Sequence, residues 1–134
     1  MIKARICIAA LALMSAFCLQ ATAKPEESEA KVLMVLFFDE NCHKWCSMVR
    51  PVVADLKKTY SDRVDFAEID VTPAKLQEAK AEAKRLKIAG VLADVVDVVP
   101  EVAIFNKKRK LCKELVGPKP TNVYETELKN VLKE

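Results

Sequence analysis

Seven consecutive apolar residues, Val32-Leu33-Met34-Val35-Leu36-Phe37-Phe38, form the longest such run in the C-terminal four-fifths of the chain. A run of that kind suits a central strand covered on both faces. After the polar Asp39-Glu40-Asn41, apolar positions return at steps of three and four. Cys42, Cys46, Val49, Val53, Leu56 and Tyr60 therefore share one face of a helix that starts near Cys42 and runs to about Tyr60. Pro51 lies inside it and is expected to kink it. Ser61-Asp62-Arg63 reads as a turn and Val64–Val71 as the next strand. Thr72-Pro73 then opens a helix, with Thr72 as N-cap and Pro73 in the first position. Leu76, Ala79, Ala83 and Leu86 are its inner stripe. Two strands joined through a helix predict a parallel pair. The stretch Ala89–Val99 fits a short helix through Leu92, Val95, Val96 and Val99, and Val95–Val99 equally fits the start of a strand. Glu101–Phe105 and Leu111–Val116 predict a hairpin, with Lys107-Lys108-Arg109-Lys110 as its solvated turn. Gly117-Pro118-Lys119-Pro120 breaks the chain. Asn122 with Glu125 then predicts the cap of a last helix, whose inner face is Tyr124, Leu128, Val131 and Leu132.

The N-terminus reads as an export signal. Lys3 and Arg5 precede an apolar run from Ile6 to Leu19, and Ala21-Thr22-Ala23 is a small-x-small cleavage site. The apolar run is short for a spanning helix, which needs roughly 20 residues. The expected organisation is a signal peptide over residues 1–23 and one domain over residues 24–134. Cleavage removes two of the 22 basic residues and none of the 19 acidic ones, so the formal net charge falls from +3 to +1. Such a balance argues against a nucleic-acid or acidic-membrane partner. Lys24–Lys31 is expected to be a charged N-terminal arm. Cys7 and Cys18 leave with the signal, and Cys42, Cys46 and Cys112 remain. Three cysteines do not build a disulfide scaffold, and the mature length buries a core without one. The expected location is periplasmic or secreted, where a close cysteine pair meets an oxidising compartment.

Cys42-His43-Lys44-Trp45-Cys46 carries the chemistry. The pair follows a strand and stands at the mouth of a helix, whose N-terminal N–H groups and partial positive charge stabilise a thiolate. Helical residues four apart have Cα atoms roughly 6 Å apart, within the range a disulfide accepts. Cys42 lies at the solvent end of the apolar stripe and is expected to be the nucleophile. Cys46, one turn deeper, is expected to be the resolving thiol. His43 and Lys44 add positive charge, which lowers the pKa of Cys42 and makes the disulfide more oxidising.

The chain resembles the thioredoxin fold over nearly all of residues 24–134. The resemblance rests on the cysteine motif after a central strand, Pro51 five residues beyond Cys46, Glu68-Ile69-Asp70 ending the next strand, Val99-Pro100 ahead of the hairpin, and Gly117 closing the last strand. It implies an α/β thioredoxin-like fold with a trimmed N-terminus and a central mixed sheet of about four strands flanked by helices. It also implies a cis proline at Pro100 facing the cysteines, and a substrate surface that includes Trp45, Val99 and Pro100. The expected activity is thiol–disulfide exchange with protein substrates by a monomer without a dissociable cofactor, recharged by a membrane-bound redox partner. The chain departs from the family pattern in four respects. Three residues rather than two separate the cysteines. Leu36 stands where the family has a buried acid, and Asn41 where it has a tryptophan. The stretch Ala89–Asp97 is inserted ahead of Pro100, where it is expected to shape substrate choice.

Other readings of the same residues stand beside these. The pair forms a structural disulfide, although so small a loop stabilises only modestly. Two thiolates with His43 suit Cu(I) or Zn(II), and thioredoxin-like copper chaperones of the Sco type also place three residues between their cysteines. Those proteins take a histidine from a distant loop, and His43 is the single histidine of this chain. A third reading is a binding module that grips a partner through Val91–Val99. His43 is expected to face solvent, Trp45 to be either a core or a substrate residue, and Cys112 to be buried as a small apolar residue.

Overall fold

A computed structural model describes residues 29–134. The expected signal peptide and cleavage site lie outside the described residues, as does most of the charged arm. Four strands and four helices follow in the order β1 (Val32–Phe38), α1 (His43–Tyr60), β2 (Val64–Asp70), α2 (Leu76–Arg85), α3 (Leu92–Val95), β3 (Glu101–Phe105), β4 (Leu111–Val116) and α4 (Thr121–Leu132). A short 3-10 turn, Pro73–Lys75, leads into α2.

The sheet order is β2-β1-β3-β4. The pair β1/β2 is parallel, while β1/β3 and β3/β4 are antiparallel. This is the expected mixed four-stranded sheet. Its continuous apolar strand is explained by two cores. On one face Val32, Met34 and Leu36 pack with Val49, Val53, Leu56 and Tyr60 of α1 and with Tyr124, Leu128 and Val131 of α4. On the other face Leu33, Val35 and Phe37 pack with Ala79 and Ala83 of α2 and with Leu92 and Val95 of α3. Every residue of β1 is buried because each face is covered.

Within Ala89–Val99 the structure forms a single helical turn, α3 (Leu92–Val95), flanked by turns. Leu92 and Val95 seal the second core. The insert is therefore structural on its inner side, and its replacement by a turn would open that core. Two expected caps are absent: the Thr72 side chain has tertiary partners instead, and α4 starts one residue before Asn122, with Pro120 as its N-cap. Neither Thr72 nor Asn122 makes a capping hydrogen bond. The Thr72 hydroxyl faces Asp39 and Asp70 and accepts the Glu40 N–H. Glu125 accepts the Tyr60 hydroxyl at 2.7 Å and pairs with Lys129 at 2.9 Å. The basic turn is only partly solvated. Arg109, with φ 62°, folds back to donate to the Lys31 carbonyl at 2.8 Å.

Candidate active site

The cysteine pair is placed by the junction of β1 and α1. The strand ends at Phe38, and the Asp39–Asn41 loop turns the chain into the helix. Asp39 organises this loop. Its carbonyl accepts the Cys42 N–H at 2.9 Å, and its carboxylate accepts the Asn41 N–H at 2.8 Å. The loop is pinned from below by buried Thr72, whose hydroxyl accepts the Glu40 N–H at 2.9 Å. Lys75 pairs with both Glu40 and Asp70 at 3.2 Å. Asp70 is held below the ordinary carboxyl range; its burial acts upward, but hydrogen bonds from Thr72 and the charge of Lys75 outweigh it.

Cys42 occupies the N-cap position of α1, half-buried, with φ −83° and ψ 67°. No acidic residue lies in the first turn of α1, so no carboxylate of the helix itself offsets its positive N-terminal end. Cys46, one turn later, is buried. Both thiols are free, and both line one cavity of about 430 Å³ together with His43, Arg50, Glu68 and the Asp39–Glu40 loop. The Cys46 thiol is pushed up to about 11, first by burial and then by its hydrogen bond to Cys42. The Asp39 backbone N–H and the charge of Arg50 act in the opposite direction. The arrangement has one accessible sulfur and one sheltered sulfur that keeps its proton beside it.

The other expected site residues divide into three groups. His43 lines the cavity and is exposed. Lys44 and Trp45 lie outside it and meet each other, the Lys44 ammonium 4.5 Å from the indole centroid. Trp45 is 48% exposed and Met48, one turn on, 53%, so both belong to the surface rather than the core. Val99 packs against the second core, and Pro100 is buried after a cis Val99-Pro100 bond. Phe37 pairs with Glu101, which puts Pro100 at the end of β1 that leads to the cysteines. The carbonyl of Pro100 is held by the Gly117 N–H at 2.8 Å, where a φ of +71° suits glycine. Cys112 is half-buried and its Sγ lies 3.6 Å from a Glu134 carboxylate oxygen. Among the described residues no group of three or more His, Cys, Asp or Glu is placed to hold a metal ion.

The thioredoxin family profile matches residues 20–130. The chain belongs to the thioredoxin family. Solved thioredoxins agree with it in fold. A thioredoxin-like protein in its oxidized form has a TM-score of 0.53 at 22% identity, over 77% of this chain and 78% of that one. Mitochondrial thioredoxin 3 of Saccharomyces cerevisiae, also oxidized, has a TM-score of 0.52 at 20% identity, over 76% of this chain and 80% of that one. The thioredoxin of Malassezia sympodialis gives 0.52 at 20% identity, over 76% of each chain. A search of curated proteins finds no significant match. Membership of the thioredoxin family, with a cysteine pair at the head of α1, supports a thiol–disulfide oxidoreductase in the general sense.

Two residues near the thioredoxin motif escape a reading by sequence alone. Arg50 stands four residues after Cys46, so the helical spacing that joins the cysteines was the signal for it. Glu101 directly follows Pro100 and alternates with Ala103 and Phe105, an inward-facing carboxylate in an otherwise apolar strand. It is 2% exposed, and its Oε1 has no hydrogen-bond partner. Burial first, and then the charges of Glu114 and Asp94, push its carboxyl up to about 7.

Proposed function

We propose that this thioredoxin-family protein is an extracytoplasmic thiol–disulfide oxidoreductase that exchanges disulfides with protein thiols through Cys42 and Cys46. The carrying observation is the asymmetry of the pair: two free thiols in one cavity, Cys42 half-exposed at the helix N-cap and Cys46 buried one turn below. Cys42 is the nucleophile. Its thiolate attacks a substrate disulfide, forming a Cys42–substrate bond and releasing one substrate thiolate. Cys46 then loses its proton and attacks the Cys42 sulfur. The mixed disulfide breaks, the second substrate thiolate leaves, and two electrons have passed to the substrate. The reverse sequence oxidises a substrate dithiol. His43 and Lys44 bias the charge around Cys42. Trp45 and the Val99-Pro100 segment form the substrate surface at the same end of the sheet. The signal at residues 1–23 delivers the domain to the periplasm or the exterior, where a membrane-bound partner resets its redox state.

A glutathione redox titration of residues 24–134 in metal-free buffer, read by thiol labelling and mass, tests this. A reversible two-electron transition between roughly −270 and −120 mV is expected. A pair still oxidised well below about −300 mV would be a structural disulfide and would refute the proposal. Labelling blocked only by added Cu(I), without a defined potential, would replace it with metal delivery.

A further inference from the structure

Arg50 has no part in the loop that presents Cys42, yet it lines the cavity that holds Cys46. The two residues are four apart on α1, which makes them neighbours on one helical face. Both line the same cavity. The guanidinium is fixed from two sides. Its carbon lies 3.9 Å from the centroid of the Phe38 ring, and its Nε lies 3.7 Å from Glu68 Oε2 on β2. Phe38 is itself buried at the end of β1. A cation stacked on an aromatic face and held at its Nε is restrained to one region. Here that region is the wall of the cavity that Cys46 also lines. Leu36, inside the first core, offers no ionisable group to Cys46.

We propose that Arg50 is a positioning residue of the resolving step, its cation stabilising the thiolate of Cys46 both when it attacks and when it leaves. The inference rests on the exchange reading given above. In the reducing direction the Cys46 proton departs to solvent, the Cys46 thiolate attacks Cys42 Sγ, the Cys42–substrate bond breaks, and the substrate thiolate leaves. In the oxidising direction a substrate thiolate attacks Cys42 Sγ and Cys46 is the leaving thiolate. The same negative sulfur forms in both directions, so one fixed cation serves both. Charged and titratable groups around Cys46 are Cys42, His43 and Arg50 from α1, Asp39 and Glu40 from the loop, and Glu68 from β2. Among them Arg50 is the group whose charge favours the Cys46 thiolate, alongside the Asp39 backbone N–H. Glu68 tempers it.

The test is stopped-flow reaction of the reduced protein with a chromogenic aromatic disulfide. The first release of aromatic thiolate reports attack by Cys42, and the second reports resolution by Cys46. An ion pair acting on a half-exposed site changes the thiolate population by about three- to tenfold. A more basic thiolate is also more nucleophilic, so the net slowing is about two- to fourfold. Arg50→Met is expected to slow the second phase by that factor, to move its pH profile upward, and to change the first phase less than about twofold. Arg50→Lys should restore most of the rate. Glu68→Gln, which keeps the stacked cation and removes its counter-charge, should speed the second phase. Two phases in the wild type with an unchanged second-phase pH profile in Arg50→Met overturn the role of Arg50 and leave the exchange reading intact. Equal slowing by Arg50→Met and Glu68→Gln overturns it too, by showing that the ion pair acts through structure. Absence of a second phase in the wild type overturns both.

Discussion

Replacing Glu101 by glutamine should make the protein more stable above neutral pH and nearly indifferent to pH between 5 and 8. In the wild type the carboxyl is buried behind Pro100, faces two acidic neighbours, and keeps its proton to about pH 7, against an ordinary value of 4.5. In the unfolded chain it ionises at that ordinary value. The folded state therefore binds the extra proton across this window. The stability linked to that proton is fully present below 4.5 and is lost as pH rises through about 7. Integrating between pH 5 and pH 8 gives a loss of about 2.5 kcal/mol. That is a large share of the roughly 5–15 kcal/mol typical of a domain. With a urea slope of about 1–3 kcal/mol/M, the midpoint should fall by about 0.8–2.5 M. Asp70, Glu82 and Glu125 are held low by their partners and act below this window. The raised thiols Cys46 and Cys112 act above it. Equilibrium urea unfolding of the reduced domain at pH 5 and pH 8, followed by circular dichroism, is the assay. Glu101→Gln should show a difference of under about 0.5 kcal/mol between the two conditions. A wild-type midpoint that does not fall, or a fall that survives in Glu101→Gln, would refute the reasoning.

Cys42→Ser should abolish reaction with a substrate disulfide, while Cys46→Ser should trap a stable mixed disulfide that mass spectrometry detects at Cys42. Thr72→Val removes the hydroxyl that receives the Glu40 N–H and faces two carboxylates, and should cost about 1–3 kcal/mol in urea unfolding. Gly117→Ala meets no atom within 4 Å but must hold a φ of +71°, so it should cost about 1–2 kcal/mol through the backbone alone. N-terminal sequencing of protein exported from an expressing bacterium should begin at Lys24; an uncleaved N-terminus would remove the extracytoplasmic part of the proposal.

The elements that sequence reading placed well are those whose period is set by burial. The run Val32–Phe38 has two covered faces, so it carried its own assignment. The stripe from Cys46 to Tyr60 has one, and the helix followed at nearly the expected length. The end of α1 was legible to within a residue, with Cys42 as N-cap rather than first helical residue. Caps were less legible, because Thr72, Asn122 and Glu125 satisfy local rules on paper. Thr72 and Glu125 are instead held by residues far away in sequence. The stretch Ala89–Val99 was ambiguous because a short apolar run has no measurable period. The structure folds its centre, Leu92–Val95, into one helical turn because the second core offers a surface to cover. The site was half visible. Both cysteines and Pro100 lie where the motif spacing puts them, whereas Arg50 and Glu101 gain meaning from Phe38, Glu68, Glu114 and Asp94, which only the folded chain brings near.

The two outer strands of the sheet bear on how the domain would meet the unfolded protein substrates proposed for it. Strand β2 carries the half-exposed Asp65 and Glu68, each met by an arginine. Strand β4 carries Lys113 and Glu114, and its register with β3 slips beside Cys112, which is left as the extra residue of a bulge. Protein substrates of the kind proposed above would offer bare strands that seek a partner. Charged side chains and a bulge make poor templates for them. Under the proposed exchange activity, a protein substrate would meet Cys42 at one end of the sheet without being recruited into it, and contact with unfolded chains would not seed aggregation.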